Sequence, residues 1–406
     1  MGRDGASASY DAIVVGLGAL GSAAAYRLAA AGGRRVLGLE QFELDHDRGA
    51  SRDVSRITRR SYHRREYVEL AIEAQEAWRE VEAASGERII TWTGGLDLAP
   101  PGAAESIDDY ATSMTEAGVP FEWLDEVEVA RRWPQWRLPP GSRGLFQRDA
   151  GIADPEIGNA AHLRLARDAG AELREHAGVT AIRDHGGELE VALEDGPSLT
   201  AGAVVVAADA WTNELLGPLG DALPLEVTRE QVTWYEAKDP ALFEPGRFPI
   251  WIWLGQPSFY GFPTYRGPGP KVGEDIGGRP TTARTRSFDP DLDCLDRCGS
   301  FLAERMPGAI GRPLQTKTCL YTLTPDRDFV VDRLPDHPGV IVALGAAHAY
   351  KFAALFGTWL ADLALDASHA PLRTRDLRFD LFAIDRPTLR SPSAPGAASA
   401  NLVENA

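Results

Sequence analysis

The sequence predicts a mixed α/β (α+β) protein in which a Rossmann-type dinucleotide-binding domain is interleaved with a second domain built on a mixed β-sheet. A glycine-rich turn lies between an apolar strand and an alanine-rich helix near the start of the chain. Strand and helix patterns alternate again in two later stretches, and the intervening segments are aromatic and strand-like. We therefore expect a discontinuous first domain that consists of residues 10–90, 149–220 and 318–388. The second domain is inserted into it twice, as residues 91–148 and 221–317. Residues 389–406 should form a disordered tail.

The opening strand–helix–strand unit carries most of this prediction. Apolar residues 10–15 predict a strand, residues 19–31 a helix, and residues 35–39 a second strand that ends at Glu40. The first domain should contain further helices and strands: helices over 67–83, 155–169 and from about 351, and strands over 179–182, 189–193, 203–207 and 340–344. The second domain should contain strands over 232–234, 250–253 and 259–262.

The composition excludes several classes of protein. Hydrophobic residues make up 44% of the 406 residues, and 42 Lys and Arg stand against 59 Asp and Glu, a net charge of −17. Such an acidic chain is a poor partner for nucleic acid or an anionic membrane surface. No apolar run suggests a membrane span or a signal peptide, and three cysteines are too few for a disulfide framework, so we expect a cytoplasmic protein. Cys294 and Cys298 lack a second pair of ligands, and no metal site is predicted.

Gly16, Gly18 and Gly21 form a G-x-G-x-x-G motif between the first strand and the first helix. The first glycine permits a tight turn, the second lets the backbone approach a pyrophosphate, and the third lets the helix pack closely on the strand. The carboxylate of Glu40 can accept hydrogen bonds from a ribose diol and would repel a 2′-phosphate. The motif predicts a dinucleotide site but does not distinguish NAD from FAD.

A cationic segment, residues 49–59, follows the second strand and contains Arg52, Arg56 and Arg59. Such a segment is ordinarily a solvated basic loop, but this one also contains apolar residues and lies where a flavin ring would be if FAD occupied the dinucleotide site. This segment and four others resemble the monomeric sarcosine oxidase and N-methyltryptophan oxidase family, within the D-amino-acid-oxidase-like superfamily. The other four are residues 207–211, 259–263, 317–322 and 345–352. The segments follow one another in the family's order, and the resemblance extends over roughly residues 10–385.

The resemblance implies that FAD is the cofactor and that Cys319 forms a covalent bond to the 8-methyl group of the flavin. A thiolate is the required nucleophile, and we expect the neighbouring Lys317 to favour it. The alternative is an unmodified buried cysteine in a strand. Besides the three glycines and Glu40, further residues are expected to contact the cofactor: Ser51, Arg52, Val179, Gly345 and Lys351.

The resemblance also assigns the substrate and the oxygen chemistry. Arg59 and Lys351 match a pair that binds the substrate carboxylate, for which a planar guanidinium and an ammonium are suited; structural ion pairs are the alternative. Lys271 matches the lysine that activates O₂, although by itself it is one lysine in a Gly- and Pro-rich loop. Three more residues are expected beside the flavin or the substrate: Arg56, Tyr260 and His348.

The sequence departs from the family pattern at the substrate. Asp275 takes the place of a histidine, and a carboxylate there could accept a proton or pair with an ammonium group, so we count it among the catalytic residues. Trp251 and Trp253 precede the Tyr260 segment, and we expect Trp251 to contact the substrate. These large rings favour a bulkier or cyclic amino acid over sarcosine, as in related enzymes of antibiotic pathways that oxidise cyclic imino acids.

Taken together, these features predict an FAD-dependent oxidase of a secondary amino acid, N-methyl or cyclic, which passes a hydride to the flavin and yields an imine and H₂O₂. Its partners should be the amino acid and O₂, and we expect a monomer. Three alternatives stay open: a flavin dehydrogenase that uses another electron acceptor, an NAD-dependent dehydrogenase, and a protein that binds FAD without catalysis.

Overall fold

The computed structural model describes residues 8–366 and 380–390. The strands are, in chain order, β1 (Ser9–Val15), β2 (Val36–Leu39), β3 (Arg56–Thr58), β4 (Ile90–Trp92), β5 (Gly95–Ala99), β6 (Glu122–Asp125), β7 (Arg143–Gln147), β8 (Gly151–Ala153), β9 (Glu172–Arg174), β10 (Val179–Asp184), β11 (Leu189–Leu193), β12 (Leu199–Val206), β13 (Glu226–Tyr235), β14 (Ile250–Trp253), β15 (Phe259–Phe262), β16 (Lys271–Glu274), β17 (Arg279–Pro280), β18 (Pro313–Leu323), β19 (Val330–Arg333) and β20 (Val340–Leu344).

The α-helices that accompany these strands are α1 (Ala19–Ala30), α2 (Arg65–Ser85), α3 (Ile107–Glu116), α4 (Glu126–Arg132), α5 (Pro155–Asp168), α6 (Thr212–Leu216), α7 (Leu292–Arg305), α8 (Ala353–Leu365) and a short helix Pro387–Arg390. Four 3₁₀ turns connect them within the described residues: Asp209–Trp211, Gly217–Leu219, Pro240–Phe243 and Ala349–Phe352.

The first sheet is an eight-stranded sheet with a parallel centre. Its parallel strands run in the order β9-β2-β1-β12-β20, and β19 pairs antiparallel with β20. An antiparallel pair, β10 and β11, joins the N-terminal half of β12. Helix α1 packs against both α5 and α8. This arrangement confirms the predicted α/β class and its dinucleotide-binding fold.

The turn between β1 and α1 leaves no room for side chains. Gly16 has a left-handed φ of 87°, and a Cβ there would lie 2.6 Å from the carbonyl oxygen of Ala207. A Cβ on Gly21 would lie 1.8 Å from the carbonyl oxygen of Gly16, so helix α1 can approach the turn only because this residue is glycine.

We expect Gly21→Ala to lower the free energy of unfolding by about 3 kcal/mol, because the added methyl group must push the helix off the strand. Gly217→Ala is the matched control, since a Cβ at that position meets no atom within 4 Å. Denaturant unfolding of the two variants measures the difference. Equal stability of the two variants would show that the turn can relax around the methyl group.

The second sheet is a nine-stranded mixed sheet in the order β17-β13-β16-β15-β14-β5-β7-β6, with β18 added on β13. Strand β13 extends well beyond the predicted residues 232–234 because it pairs along its length with β18. The expected domain boundary between residues 317 and 318 falls inside β18, so this strand as a whole belongs to the nine-stranded sheet. The division into two domains otherwise stays a prediction.

A small three-stranded sheet, β3-β8-β4, lies beside the two large ones. Part of the cationic segment lies in this sheet, because β3 begins at Arg56 and pairs with β8 through Arg56–Ala153 and Thr58–Gly151. The segment 49–59 is therefore partly strand and not a free loop.

At the end of the described chain, Leu389 is buried within the helix Pro387–Arg390. Leu389 and Arg390 thus belong to an ordered element, whereas the rest of the expected tail, residues 391–406, lies outside the described residues. Within the described ranges, no helix combines the length and the apolar character that crossing a bilayer requires.

Candidate active site

One large cavity is lined by residues of both large sheets. Its wall contains most of the residues predicted from the sequence, although they come from distant parts of the chain: Gly16, Gly18, Glu40, Ser51, Arg52, Arg56, Arg59, Val179, Tyr260, Lys271, Asp275, Cys319, Gly345, His348 and Lys351. Gly21, in the first turn of helix α1, is not part of this wall, and neither is Trp251.

At one end of the cavity, the β1–α1 turn offers backbone groups to an anion. Helix α1 has no acidic residue in its first turn and no side-chain cap at Gly18. The hydroxyl of Ser51 accepts a hydrogen bond from the Ala19 N–H at 3.0 Å, and a Cβ on Gly18 would lie 2.7 Å from that hydroxyl oxygen. A helix N-terminus without an acidic residue, behind a glycine turn, suits a pyrophosphate.

Glu40 lies beside this turn, buried and charged. One carboxylate oxygen accepts a hydrogen bond from the Leu17 N–H at 2.9 Å, and the other lies 3.4 Å from Nε2 of His46. Burial acts to raise the pKa of Glu40, but the hydrogen bonds from His46 and the Leu17 N–H outweigh it and lower the pKa. A carboxylate held in this way remains an acceptor for a ribose diol.

The cavity wall at this end also contains buried polar atoms without partners among the described residues. Oδ1 of Asn159 and Oδ2 of Asp209 have no hydrogen bond there. Asp209 adopts a left-handed φ of 45°, and burial raises its pKa to about 6. Because unsatisfied buried groups are costly, such atoms indicate a polar ligand that completes them. The glycine turn, the N-terminus of helix α1 and these atoms fit the dinucleotide of FAD.

Val179 and Arg52 are the two other residues predicted to contact the cofactor. Val179 begins β10 and lines the cavity. Arg52 is half exposed, donates a hydrogen bond to the Asp45 carbonyl and lies 3.8 Å from Glu156. Arg52 therefore contributes charge at the mouth of the cavity and is not buried against its wall.

Lys271 forms the centre of a buried ion cluster. Its Nζ lies 2.9 Å from Oδ2 of Asp53 and donates a second hydrogen bond, also 2.9 Å, to the Ser55 carbonyl. Arg56 contacts the same carboxylate oxygen. Burial lowers the pKa of Lys271 to about 8, and the Asp53 carboxylate opposes this effect.

Arg59 and Lys351 converge on the ring of Tyr62. The guanidinium carbon of Arg59 lies 4.7 Å from the ring centroid and Nζ of Lys351 lies 5.8 Å from it. Arg59 is paired with the buried Asp97 at 3.1 Å, while its Nε has no partner within the described part of the chain. Burial and the nearby Arg59 lower the pKa of Lys351 to about 7. Two cationic side chains near the same ring, one of them with an unused donor, suit a carboxylate.

The hydroxyls of Tyr260 and Tyr321 lie 3.5 Å apart on the cavity wall. Asp275 pairs with Arg327 at 3.3 Å, and the carbonyl of Arg327 lies 3.0 Å from Nε2 of His348. Burial and the Arg327 charge hold the pKa of His348 well below its usual range, so the ring is neutral. His348 can act as a hydrogen-bond donor only through one nitrogen at a time.

Cys319 lies on β18 in register with Glu230 on β13. Burial raises the pKa of its thiol to about 11, and the positive charges of Arg56 and Arg286 oppose this effect. The Lys317 ammonium donates a hydrogen bond to the Arg52 carbonyl at 2.7 Å, and its expected effect on the thiol stays a prediction. The cysteine is placed at the cavity, but the protein alone does not activate it.

The prediction that Trp251 contacts the substrate is wrong. Side chains alternate along β14, so Ile252 faces the cavity and Trp251 points into the core on the opposite face of the sheet. There its ring packs edge-on against Trp136 at 5.2 Å and is stacked on Phe301 at 5.6 Å. Trp253 shares that core, so neither ring narrows the cavity.

Among the charged residues of the wall that the sequence analysis missed are Asp53, Arg327 and Glu105. Asp53 lies inside the cationic segment, but its role depends on the ion pair with Lys271, which is distant in sequence. Arg327, which has a left-handed φ of 59°, lies in a Pro-Asp-Arg-Asp turn between two strands, where a buried arginine has no sequence signal. Glu105, which accepts a hydrogen bond from Tyr110, follows a Pro-Gly turn that reads as ordinary surface.

Comparison with known proteins agrees with the geometry. The model of the FAD dependent oxidoreductase family matches residues 11–363. Monomeric sarcosine oxidase of Streptomyces avermitilis is 36% identical over 375 residues, 90% of this chain and 96% of that protein. N-methyl-L-tryptophan oxidase of Yersinia pestis is 30% identical over 364 residues, 88% of this chain and 95% of that protein.

Among solved structures, that of NikD, described as an unusual amino acid oxidase essential for nikkomycin biosynthesis, superimposes with a TM-score of 0.82 at 30% identity. The match covers 93% of this chain and 98% of that one. The resemblance predicted from the sequence is thus confirmed over nearly the whole chain. The protein belongs to the FAD dependent oxidoreductase family.

Proposed function

We propose that this oxidoreductase is an FAD-dependent oxidase of a secondary amino acid, N-methyl or cyclic, that it acts as a cytoplasmic monomer, and that its flavin is bonded to Cys319. One observation carries the proposal: Arg59 and Lys351 converge on Tyr62 in the same cavity that contains Lys271, Cys319 and the glycine turn. The names of the relatives and the three free cysteines support it.

When bound, FAD would accept a hydride from the substrate and pass the electrons to O₂, giving H₂O₂. Arg59 and Lys351 bind the substrate carboxylate, which fixes the orientation of its α-carbon. Asp275 and Glu105 contribute carboxylates to the same cavity, where they can pair with the ammonium form of the amine and take up its proton.

Lys271 has a different task from the carboxylate pair. Its ammonium group uses two of its three N–H donors on Asp53 and Ser55, which leaves one donor for the cavity. A fixed positive charge at this position stabilises the negative charge that O₂ acquires as it is reduced. This role favours an oxidase over a dehydrogenase that uses another electron acceptor.

A cyclic imino acid is the second candidate for the substrate. Ile252 and Leu254 line the cavity, whereas Trp251 and Trp253 lie in the core. The match to NikD, an amino acid oxidase, supports an amino acid substrate of either class. The rate at which the flavin is reduced by an N-methyl amino acid and by a cyclic amino acid of equal size distinguishes the two substrate classes.

The covalent bond is tested by denaturing the purified protein in acid. We expect the yellow colour to remain with the precipitated polypeptide of the wild type and of Cys294→Ala, a buried cysteine of the core, and to pass into the supernatant with Cys319→Ala. Colour that leaves the wild-type polypeptide refutes the bond.

The reaction is tested separately, by anaerobic mixing with N-methyl and cyclic amino acids followed by exposure to air. Bleaching of the flavin by one of them and its rapid return in air, with release of H₂O₂, is the expected result. Return of the colour only with an artificial dye would identify a dehydrogenase. An absence of bleaching with every amino acid would indicate a protein that binds FAD without this catalysis.

A further inference from the structure

The distribution of lysines in this chain is unusual. Lys and Arg total 42, but the lysines are only four, Lys238, Lys271, Lys317 and Lys351. Lys238 is exposed, whereas the other three line the cavity. Arginine serves almost everywhere that a positive charge is needed, so the ammonium groups of this protein are concentrated where their ionisation can change.

Asp53 is the anion of this cationic region. Its side chain is 4% exposed, and Oδ2 contacts both Lys271 and Arg56. Oδ1 accepts a hydrogen bond from the Val54 N–H at 2.7 Å. Both carboxylate oxygens therefore accept hydrogen bonds from the protein, and Oδ2 is shared by two cations.

Lys271 depends on this carboxylate more than on any other group. It is 2% exposed, and aromatic rings cover it, with Phe262 centred 4.3 Å and Trp234 5.2 Å from Nζ. Among the other ionisable groups that act on it are Arg56 on β3, which repels it, and Cys319 on β18, whose thiolate form would favour the ammonium group. Burial alone would favour the neutral amine.

We propose that Asp53 is the positioning residue of Lys271, whose carboxylate fixes the ammonium group at the cavity wall and keeps it protonated for the reaction with O₂. The O₂ step in this statement rests on the proposed function, but the pairing does not. Asp53 itself touches neither the substrate nor O₂.

The physical consequence has a definite sign. Asp53→Asn removes the negative charge but leaves Arg56 and the aromatic rings in place, so the neutral amine of Lys271 becomes more favourable and its pKa falls. The ammonium form is then lost at a lower pH than in the wild type, where the pKa is about 8. Asp47→Asn is the matched control, because it removes the same charge from an exposed position of the preceding loop.

The first measurement needs no substrate. The full-length protein, labelled with ¹³C and ¹⁵N in lysine only, should give four side-chain signals, each assigned by one Lys→Arg substitution. We expect the midpoint of Lys271 to fall by about one pH unit or more in Asp53→Asn and to stay unchanged in Asp47→Asn. An unchanged midpoint in Asp53→Asn overturns the proposal.

The wild type provides a further measurement that does not depend on the folding of any variant. A hydrogen-bonded, buried ammonium group exchanges its protons slowly, so the N–H signal of Lys271 should persist at neutral pH, where that of Lys238 is lost. If both signals exchange equally fast, Lys271 is not held by Asp53 and the proposal fails.

The second measurement is the pH profile of the reaction of the reduced enzyme with O₂. In the wild type this rate should fall as the pH rises past about 8, the pKa of Lys271. In Asp53→Asn we expect a loss of about fivefold or more at that pH and recovery in more acidic buffer, because one pH unit changes the protonated fraction by that factor. A loss that is the same at every pH would count against the proposal.

These results separate the inference from the proposed function. A protein that is never reduced by an amino acid refutes the oxidase, while the lysine titration still decides whether Asp53 controls Lys271. An active oxidase in which Asp53→Asn alters neither the titration nor the pH profile refutes only the role of Asp53.

Discussion

Lys271→Met is expected to slow the reaction of the reduced enzyme with O₂ by about a thousandfold while reduction by substrate stays nearly unchanged. Methionine has a similar length but no charge, so the developing negative charge on O₂ loses its stabilising partner. The substitution should not disturb the fold, because the Asp53 carboxylate keeps its contact with Arg56. Stopped-flow absorbance measures each half-reaction separately.

Lys238→Met serves as the control for this experiment, since Lys238 is exposed and lies outside the cavity. It should react with O₂ at the wild-type rate. If Lys271→Met lowered both half-reactions equally, Lys271 would be needed for substrate binding or for flavin geometry, and its assignment to O₂ would be wrong.

Arg59→Ala is expected to weaken binding of the substrate carboxylate by about a hundredfold, the effect of losing one charge-assisted, partly buried contact. Lys351 remains, and so some preference for an anion should persist. The sharpest measurement compares an amino acid with its carboxamide: the wild type should bind the carboxylate far more tightly, and the variant should lose most of that difference.

The substitution also leaves Asp97 buried without its ion pair, which by itself lowers stability. The double variant Arg59→Ala with Asp97→Asn removes this charge and restores the fold without restoring the carboxylate site. If the double variant recovered the preference for the carboxylate over the carboxamide, Arg59 would be a structural residue, and the carboxylate would have to bind elsewhere.

The first sheet could be predicted from the sequence because its signals are local. The apolar run of β1, the glycines at 16, 18 and 21 and the small residues of α1 lie within one short segment, and each glycine has a steric reason that sequence spacing reveals. The length of β13 could not be predicted in the same way, since its ends are set by pairing with β18, far along the chain.

The site was predicted where the family pattern is conserved in this chain and failed where geometry decides. Trp251 and Ile252 are adjacent, and only the side of the sheet that faces the cavity tells them apart. Likewise Arg327 lies in the cavity wall paired with Asp275, which belongs to another segment of the chain. Contacts between distant residues determine which charged groups are buried together, and no spacing rule contains that information.

The position of β18 has a mechanical consequence. Its Cys319 belongs to the nine-stranded sheet, whereas the glycine turn belongs to the eight-stranded sheet. A coenzyme anchored at both places would act as a crosslink between remote parts of the polypeptide and would reduce the entropy of the unfolded chain. Loaded protein should then melt in one cooperative transition, and Cys319→Ala protein from which the coenzyme has been removed should melt at a lower temperature.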